Sequence, residues 1–566
     1  MANAGPLIVQ SDLTVLLDVH DPDFEEARAA LGVFASLEKS PEHLHTYRIT
    51  PLSLWNAAAA GVAPDDVMRT LSRHSRYEVP QDVDFVVRET MSRFGALVMK
   101  SAIPGNGTVP AASFVPPAGR RLLLVCSDID TDRRIRADRG LSKWLSPEPG
   151  GFGFRLEDRG TIKLELLKRG WPVKDEAPLD EGDPMPLALR SVKRSGGAWS
   201  MRPYQIDAVD AFTGKFLPGT GYGVIVLPCG SGKTVVAMAA MAAIGRKTLV
   251  ITTNIAAVRQ WIDELLDKTD IDPQSVGEYS GAEKSIKPVT VATYQILTWR
   301  PDKNSDFPHF DIFRKERWGL VICDEVHLLP APVFRVVAEI QAVRRLGLTA
   351  TLVREDGREE DVFGLIGPKR YDVPWKDLER KGFIAQAWCN EIRVPLEGEK
   401  RLEYAVADPR RKVRLAAENP AKEDVAAQLV AHHAGESILV IGQYLDQLGR
   451  YARLLSAPMI TGATPETERE TLYADFRAGG IKVLVVSKVA NFAIDLPDAS
   501  VAIQISGSFG SRQEEAQRLG RILRPKEKSS FFYSLVSRYT VEEEFAANRR
   551  KFLTEQGYRY RIEAWE

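Results

Sequence analysis

The sequence predicts an α/β protein with two parallel-sheet lobes, preceded by smaller N-terminal α+β domains. From about residue 198 onward, short apolar runs alternate with amphipathic helical stretches, the rhythm of parallel strands covered by helices. The chain has 566 residues, too many for one core; at about 150 residues per unit it divides into three to five. Pro- and Gly-rich breaks at residues 103–119 and 195–198 punctuate the front third.

Composition narrows the class. Apolar residues make up 44% and charged residues 27%, which excludes a disordered or fibrous chain. No apolar stretch reaches the 18 or so residues of a membrane span, and the start lacks the pattern of a signal peptide. The expected setting is therefore cytoplasmic. Cys126, Cys229, Cys323 and Cys389 are too far apart for a CxxC site, which disfavours a zinc cluster or disulfide scaffold. The net charge of -1 conceals an asymmetry: residues 1–100 carry nine basic and 14 acidic side chains, so the remainder is net basic. Near-neutrality therefore does not exclude a nucleic-acid partner.

Leu7–Leu17 reads as strand and turn. Thr50 caps a helix with Pro51 in its first turn, which stops at Gly61; a second helix covers Asp65–His74. The pair reads either as a winged-helix-like module or as a helical packing domain. Arg120-Arg121 and Asp132–Arg139 are basic enough to touch phosphates, or form a solvated face. Asp158, Glu165 and Lys168 lack nuclease spacing.

The strand Gly223–Leu227 runs into Pro-Cys-Gly-Ser-Gly-Lys-Thr (228–234), then a helix over Val235–Ile244. Strand, Gly-rich turn and helix are the context of a Walker A loop. Gly230, Ser231 and Gly232 curl the backbone so that N–H groups and the helix dipole face phosphate oxygens. Lys233 then reaches the β and γ phosphates of ATP, and Thr234 ligates Mg²⁺. The strand Gly319–Cys323 ends in Asp324-Glu325-Val326-His327. Asp324 holds Mg²⁺ through water, and Glu325 orients and deprotonates the attacking water. His327 is a coupling residue or a packed imidazole. Gln205, opening a helix just before the strand Gly223–Leu227, has the donor and acceptor to read adenine.

Leu346–Thr351 follows the acidic pair along the chain, and its Thr349 and Thr351 hydroxyls could link nucleotide state to a bound strand. A second α/β series starts at Ser437–Gly442, continues through Ile460–Thr464 and Lys482–Lys488, and ends at Glu515–Arg524. Gln517, Arg521 and Arg524 share one helix face, from which guanidinium groups reach a γ-phosphate across a cleft. Thr252, Thr293, Thr461 and Ser487 are candidates for nucleic-acid phosphate contacts.

Seven segments then carry a resemblance: MRPYQ (201–205), LPCGSGKT (227–234), DEVH (324–327), LTATLVRED (348–356), FGLIGPKRY (363–371), QRLGRILRPK (517–526) and FFYSLVS (531–537). Residues 198–566 resemble the XPB helicases of superfamily 2 in their bacterial form, and the segments VQSDLTVLL (9–17) and TYRITPLSLWNA (46–57) resemble the front of the same group. The resemblance implies two RecA-like motor lobes, 198–375 and 376–566. It also implies an N-terminal α+β domain over 1–110, a damage-recognition-like domain over 111–197, and a thumb-like insertion near 397–424 with Pro409–Arg414 as its basic segment. The implied activity is an ATP- and Mg²⁺-dependent 3′-to-5′ DNA helicase or translocase in nucleotide excision repair. It would act at a single-stranded tail and duplex junction, as a nucleoid-associated monomer with a repair nuclease or other repair proteins as partners. Arg202 falls in the family's nucleotide-binding segment, and Arg354, Glu355 and Asp356 match its strand-wedging motif. Ala490 and Asn491 depart from the Gly and Asp usual in the family. A duplex translocase without strand separation, an RNA helicase and an ATPase switch are the competing readings.

Overall fold

The computed structural model describes residues 5–39, 43–59, 61–101, 121–155, 158–177, 181–214, 220–302, 308–328, 344–350, 362, 366–367, 369–487, 499–507, 515, 518–520, 522–523, 529–555, 558 and 560–565. The first sheet has four antiparallel strands, β1 (Leu7–Val9), β2 (Thr14–Asp18), β3 (Ser36–Lys39) and β4 (Leu44–Arg48), in the order β1-β2-β4-β3. Helices Phe24–Leu31, Pro51–Ala59, Pro64–His74 and Gln81–Ser92 cover it, burying Leu31, Leu54, Leu71 and Val87 with Leu7 and Leu17 in one core. Thr50 caps as the sequence indicates: its Oγ1 accepts from Ser53 N at 3.0 Å, and Ser53 Oγ accepts from Thr50 N at 2.9 Å.

The second sheet has the order β7-β8-β6-β5-β9, from β5 (Leu97–Ser101), β6 (Arg121–Cys126), β7 (Ser146–Glu148), β8 (Gly151–Arg155) and β9 (Val173–Asp175). This corrects the division expected at residue 110. β5 precedes the Pro/Gly-rich stretch, yet it pairs antiparallel with β6 beyond it, Leu97 opposite Cys126. Turn-forming residues do not tell whether the strands on either side belong to one sheet or to two domains.

Residues 181–198 lie along the next lobe as a strap. Met185 N donates to Gly245 O, Arg190 N to Lys268 O and Arg194 N to Asp267 O. The Gly-rich break at 195–198 is a turn pinned by Asp267, whose Oδ1 accepts from Ser195 N at 2.8 Å.

Lobe 1 is an all-parallel sheet of β10 (Tyr222–Val226), β11 (Thr248–Thr252), β12 (Val276–Tyr279), β13 (Val289–Thr293), β14 (Leu320–Cys323), β15 (Arg344–Thr349) and β16 (Lys369–Asp372), ordered β12-β13-β11-β14-β15-β10-β16. Lobe 2 holds β17 (Ala387–Val394), β18 (Ile438–Ile441), β19 (Met459–Ile460), β20 (Val483–Val486), β21 (Val501–Gln504), β22 (Ser530–Ser537) and β23 (Tyr560–Ala564), ordered β19-β20-β18-β21-β22-β17-β23. All its pairings are parallel too. The two orders are the same pattern, strand for strand. Central strands such as Leu249–Ile251 and Leu439–Ile441 are buried on both faces, as parallel sheets require.

One apolar core crosses between the lobes: Val236 and Ala240 of lobe 1 belong to it together with Leu439, Leu519 and Leu523 of lobe 2. The helix Trp375–Arg380 carries the chain across, and Arg28 of the first domain pairs with its Asp377 at 2.9 Å. Helices Gly398–Val406 and Pro409–Ala417 occupy the region expected for a thumb. Of its basic residues, Arg411 pairs with Glu403 and Arg414 with Glu418 and Asp446.

Candidate nucleotide site and lobe coupling

In lobe 1, β15 lies between β10 and β14. The loop after β10, the acidic pair after β14 and Thr349 at the tip of β15 therefore meet at one end of the sheet, where open parallel sheets bind ligands. The helix Lys233–Ile244 begins at the end of the Gly-rich loop. Gly232 has φ +82°, and a Cβ there would come within 2.5 Å of Gln205 Nε2, so the position needs glycine on both counts.

The loop is braced from behind. The Ser231 carbonyl accepts from the Tyr204 hydroxyl at 2.6 Å and from Gln205 Nε2 at 2.8 Å. Ser231 Oγ donates to Pro228 O at 2.6 Å. Gln205 Oε1 accepts from Arg202 N at 2.9 Å, so both ends of its amide are engaged inside the protein. To read adenine, Gln205 has to exchange these bonds. Arg202 reaches across to lobe 2, donating to Phe383 O at 2.9 Å.

Asp324 Oδ2 accepts from Trp261 Nε1 at 2.9 Å and from Thr252 Oγ1 at 3.5 Å. The Asp324 carbonyl accepts from the Tyr294 hydroxyl at 2.8 Å. Burial, and then the neighbouring Glu325 charge, hold the Asp324 carboxyl well above the usual carboxylate range. Glu325 adopts φ +48°, a strained conformation for a residue with a Cβ, and its N–H donates to Asp324 Oδ1 at 3.0 Å. Its Oε1 lies 3.6 Å from Lys233 Nζ. Burial works against the charge on Lys233, but Glu325, Cys229 and Asp324 outweigh it, and its pKa is raised. The lysine thus stays a cation where phosphates would sit.

His327 is buried, its Nδ1 2.6 Å from Thr349 Oγ1 and 3.5 Å from Glu325 Oε2. The Thr349 carbonyl accepts from Leu227 N at 3.0 Å. One residue thus touches the strand that feeds the loop and the imidazole beside Glu325. Thr351, Arg354, Glu355, Asp356, Gln517, Arg521 and Arg524 lie outside the described residues.

The expectation of lobe-surface hydroxyls needs correction. Thr252, Thr293 and Ser487 are buried. Thr252 turns toward Asp324, and Thr293 Oγ1 caps the helix Tyr294–Thr298 by accepting from Ile296 N. Thr461, half-buried, accepts from Ala463 N. Thr293 and Thr461 thus close their own strand tips, while Thr252 serves the neighbouring strand. Tyr204, Trp261 and Tyr294 carry no role in the sequence reading. Trp261 and Tyr294 stand 63 and 30 residues before Asp324, so no local spacing signals them. Tyr204 sits inside the MRPYQ segment, the one signal that could have found it.

A phosphate loop and half-buried acidic pair on one parallel lobe, with an identically ordered lobe packed against it, define an ATP-hydrolysing helicase of the two-lobed class. Comparison with known proteins narrows this. Residues 378–565 match the family described as ERCC3/RAD25/XPB C-terminal helicase. Residues 198–354 match the type III restriction enzyme res subunit, and residues 7–113 a helicase conserved C-terminal domain. A protein of Kineococcus radiotolerans named DNA 3′-5′ helicase XPB is 50% identical over 562 residues, 99% of this chain and 96% of its own. A Mycobacterium tuberculosis protein of the same name is 48% identical over 569 residues, 99% of this chain and 97% of its own. A general transcription and DNA repair factor IIH helicase/translocase subunit XPB from Antonospora locustae is 34% identical, covering 98% and 81%. The chain belongs to the XPB family of ATP-dependent DNA helicases. Among the described residues no helix is long and apolar enough to cross a membrane.

Proposed function

We propose that the chain hydrolyses ATP between its lobes to travel 3′-to-5′ on DNA and open duplexes in nucleotide excision repair. The observation that carries this reading is the contact line Lys233–Glu325–His327–Thr349, which runs from the phosphate loop to the start of the segment holding Arg354, Glu355 and Asp356. The relatives' names supply the direction and the repair setting.

In the proposed reaction, Glu325 accepts a proton from water as its oxygen bonds to the γ-phosphorus. The bond to the bridging oxygen breaks, releasing ADP and phosphate. Lys233 stabilises charge on the β and γ oxygens, with Arg521 and Arg524 supplied from lobe 2. The donors fit Mg²⁺: the Thr234 hydroxyl and Asp324 carboxylate are hard oxygen ligands, and Glu325 Oε2 beside them is buried with no hydrogen-bond partner among the described residues. Bound there, Mg²⁺ would neutralise phosphate charge. Arg354, Glu355 and Asp356 wedge the strands at the duplex junction. The protein works as a monomer at a single-stranded tail, leaving a repair nuclease to act on the opened DNA.

Strand displacement with 3′- and 5′-tailed duplexes tests the proposal: only the 3′ tail supports release. DNA-stimulated ATPase without release from either tail favours duplex translocation, which the helicase/translocase name of the Antonospora relative also fits. Stronger stimulation by RNA than by DNA would overturn both. Glu325→Gln should bind ATP and not turn it over.

A further inference from the structure

Lobe 2 meets the phosphate loop at a glycine. Gly520 lies in the helical turn 518–520, one residue before Arg521 in sequence, and is buried. Its backbone is not left-handed, so conformation does not demand glycine. Space does. A Cβ at Gly520 would lie 2.2 Å from Cys229 Cβ and 2.8 Å from Cys229 Sγ.

Neither side of this contact can easily retreat. Arg518 is fully buried, and its Nη1 donates to Gln504 Oε1 at 2.6 Å, fastening the turn to the end of β21. Leu519, Ile522 and Leu523 are anchored in the core shared between the lobes, and Ala385 N donates to Leu523 O at 2.9 Å. Opposite, Tyr204 and Gln205 brace the loop two residues beyond Cys229. Side chains packed this closely relay a displacement of either partner.

We propose that Cys229 and Gly520 form a steric gauge for the cleft. The Cys229 side chain on the loop meets bare backbone on lobe 2, and this contact sets how deeply the lobes close. Gly520 is thus a positioning residue for hydrolysis. Any side chain there holds lobe 2 back, and Arg521 with it, while the phosphate loop stays intact. The inference rests on the ATP-driven reading given above.

The test pairs substitutions across the gap. Gly520→Ala should lower DNA-stimulated kcat on the order of 10- to 100-fold, the loss that about 1 Å of misplacement produces. Affinity for a fluorescent ATP analogue should stay within about threefold, because loop binding is untouched. Adding Cys229→Gly, which removes the opposing Cβ, should restore turnover. Adding Cys229→Ala should not, because its Cβ still meets the new one. Cys229→Leu tests the gauge from the loop side: it should also lower kcat, and it keeps the proposal testable if Gly520→Ala does not fold. Wild-type turnover in Gly520→Ala or in Cys229→Leu would overturn the gauge. So would equal rescue by Ala and Gly at 229, or no rescue by Gly. An inactive wild-type protein would instead refute the ATPase reading itself, so the two failures are distinguishable.

Discussion

Replacing Thr349 by Val should uncouple ATP turnover from strand separation. The substitution keeps the β-branched shape and leaves the carbonyl bonded to Leu227 N, but removes the hydroxyl that lies 2.6 Å from His327 Nδ1. Both residues are buried, so water cannot readily replace the lost partner. Stripping a buried polar group of a hydrogen bond costs about 1–3 kcal/mol. As a coupling energy between two sites, that is about 5- to 150-fold. The hydrolytic groups Lys233, Asp324 and Glu325 are untouched, so ATPase should change by less than about threefold. The loss should fall on base pairs opened per ATP. Displacement of a 3′-tailed duplex and phosphate release, followed in one reaction at saturating ATP, give that ratio directly. Thr349→Ser, which keeps the hydroxyl, should behave as wild type. An unchanged ratio in Thr349→Val, or a parallel fall of both activities, would refute the coupling role.

Other outcomes follow from the same geometry. Trp261→Phe removes a hydrogen bond that favours the ionised Asp324. Asp324 already titrates above the ordinary value of about 4, and activity needs its anion, so the acid limb of kcat/KM for ATP should move to higher pH, by about one unit; an unmoved limb contradicts the assignment. Gln205→Ala removes a brace on the loop. ATP and GTP should weaken together, by a few-fold for one hydrogen bond of about 1 kcal/mol; selective loss of ATP would show adenine reading instead. Burial lowers the His45 pKa to about 4, with Arg28 and Arg380 adding to that and Asp377 and Asp372 opposing it. The folded value lies below the unfolded one, so this contribution to stability is complete above about pH 6.5 and is lost as pH falls toward 4, by up to about 3 kcal/mol. Urea unfolding across that range should show the decline, and His45→Gln should flatten it.

The legible parts of this protein are those written in consecutive residues. The loop 228–234 and Asp324-Glu325 each follow an apolar strand, so sequence placed both the chemistry and its support. Thr50 and Pro51 announced a helix start by local capping chemistry. Contacts that depend on strand order were not legible. Nothing near Thr349 says that β15 slots between β10 and β14, yet that slot brings His327 and Leu227 to it. Trp261 reaches Asp324 because β11 pairs with β14, Ile251 opposite Cys323. The hydroxyls of Thr252 and Thr293 were misjudged for the same reason. A strand-tip threonine looks alike in sequence whether it faces solvent or caps its own turn. The mistaken division at residue 110 arose because a turn-rich stretch does not declare which sheet its flanking strands join.

The Arg28–Asp377 pair gives the front of the protein a mechanical part. Asp377 stands on the helix that carries the chain from one lobe to the other, and Arg28 belongs to a separate domain. With side-chain exposures of 18% and 11%, the pair is shielded from the screening that weakens surface ion pairs. A domain fastened at the crossing is geared to it. Rotation of the lobes about that helix should therefore carry the first domain with it. A fluorophore placed on the first domain should register that rotation during ATP turnover.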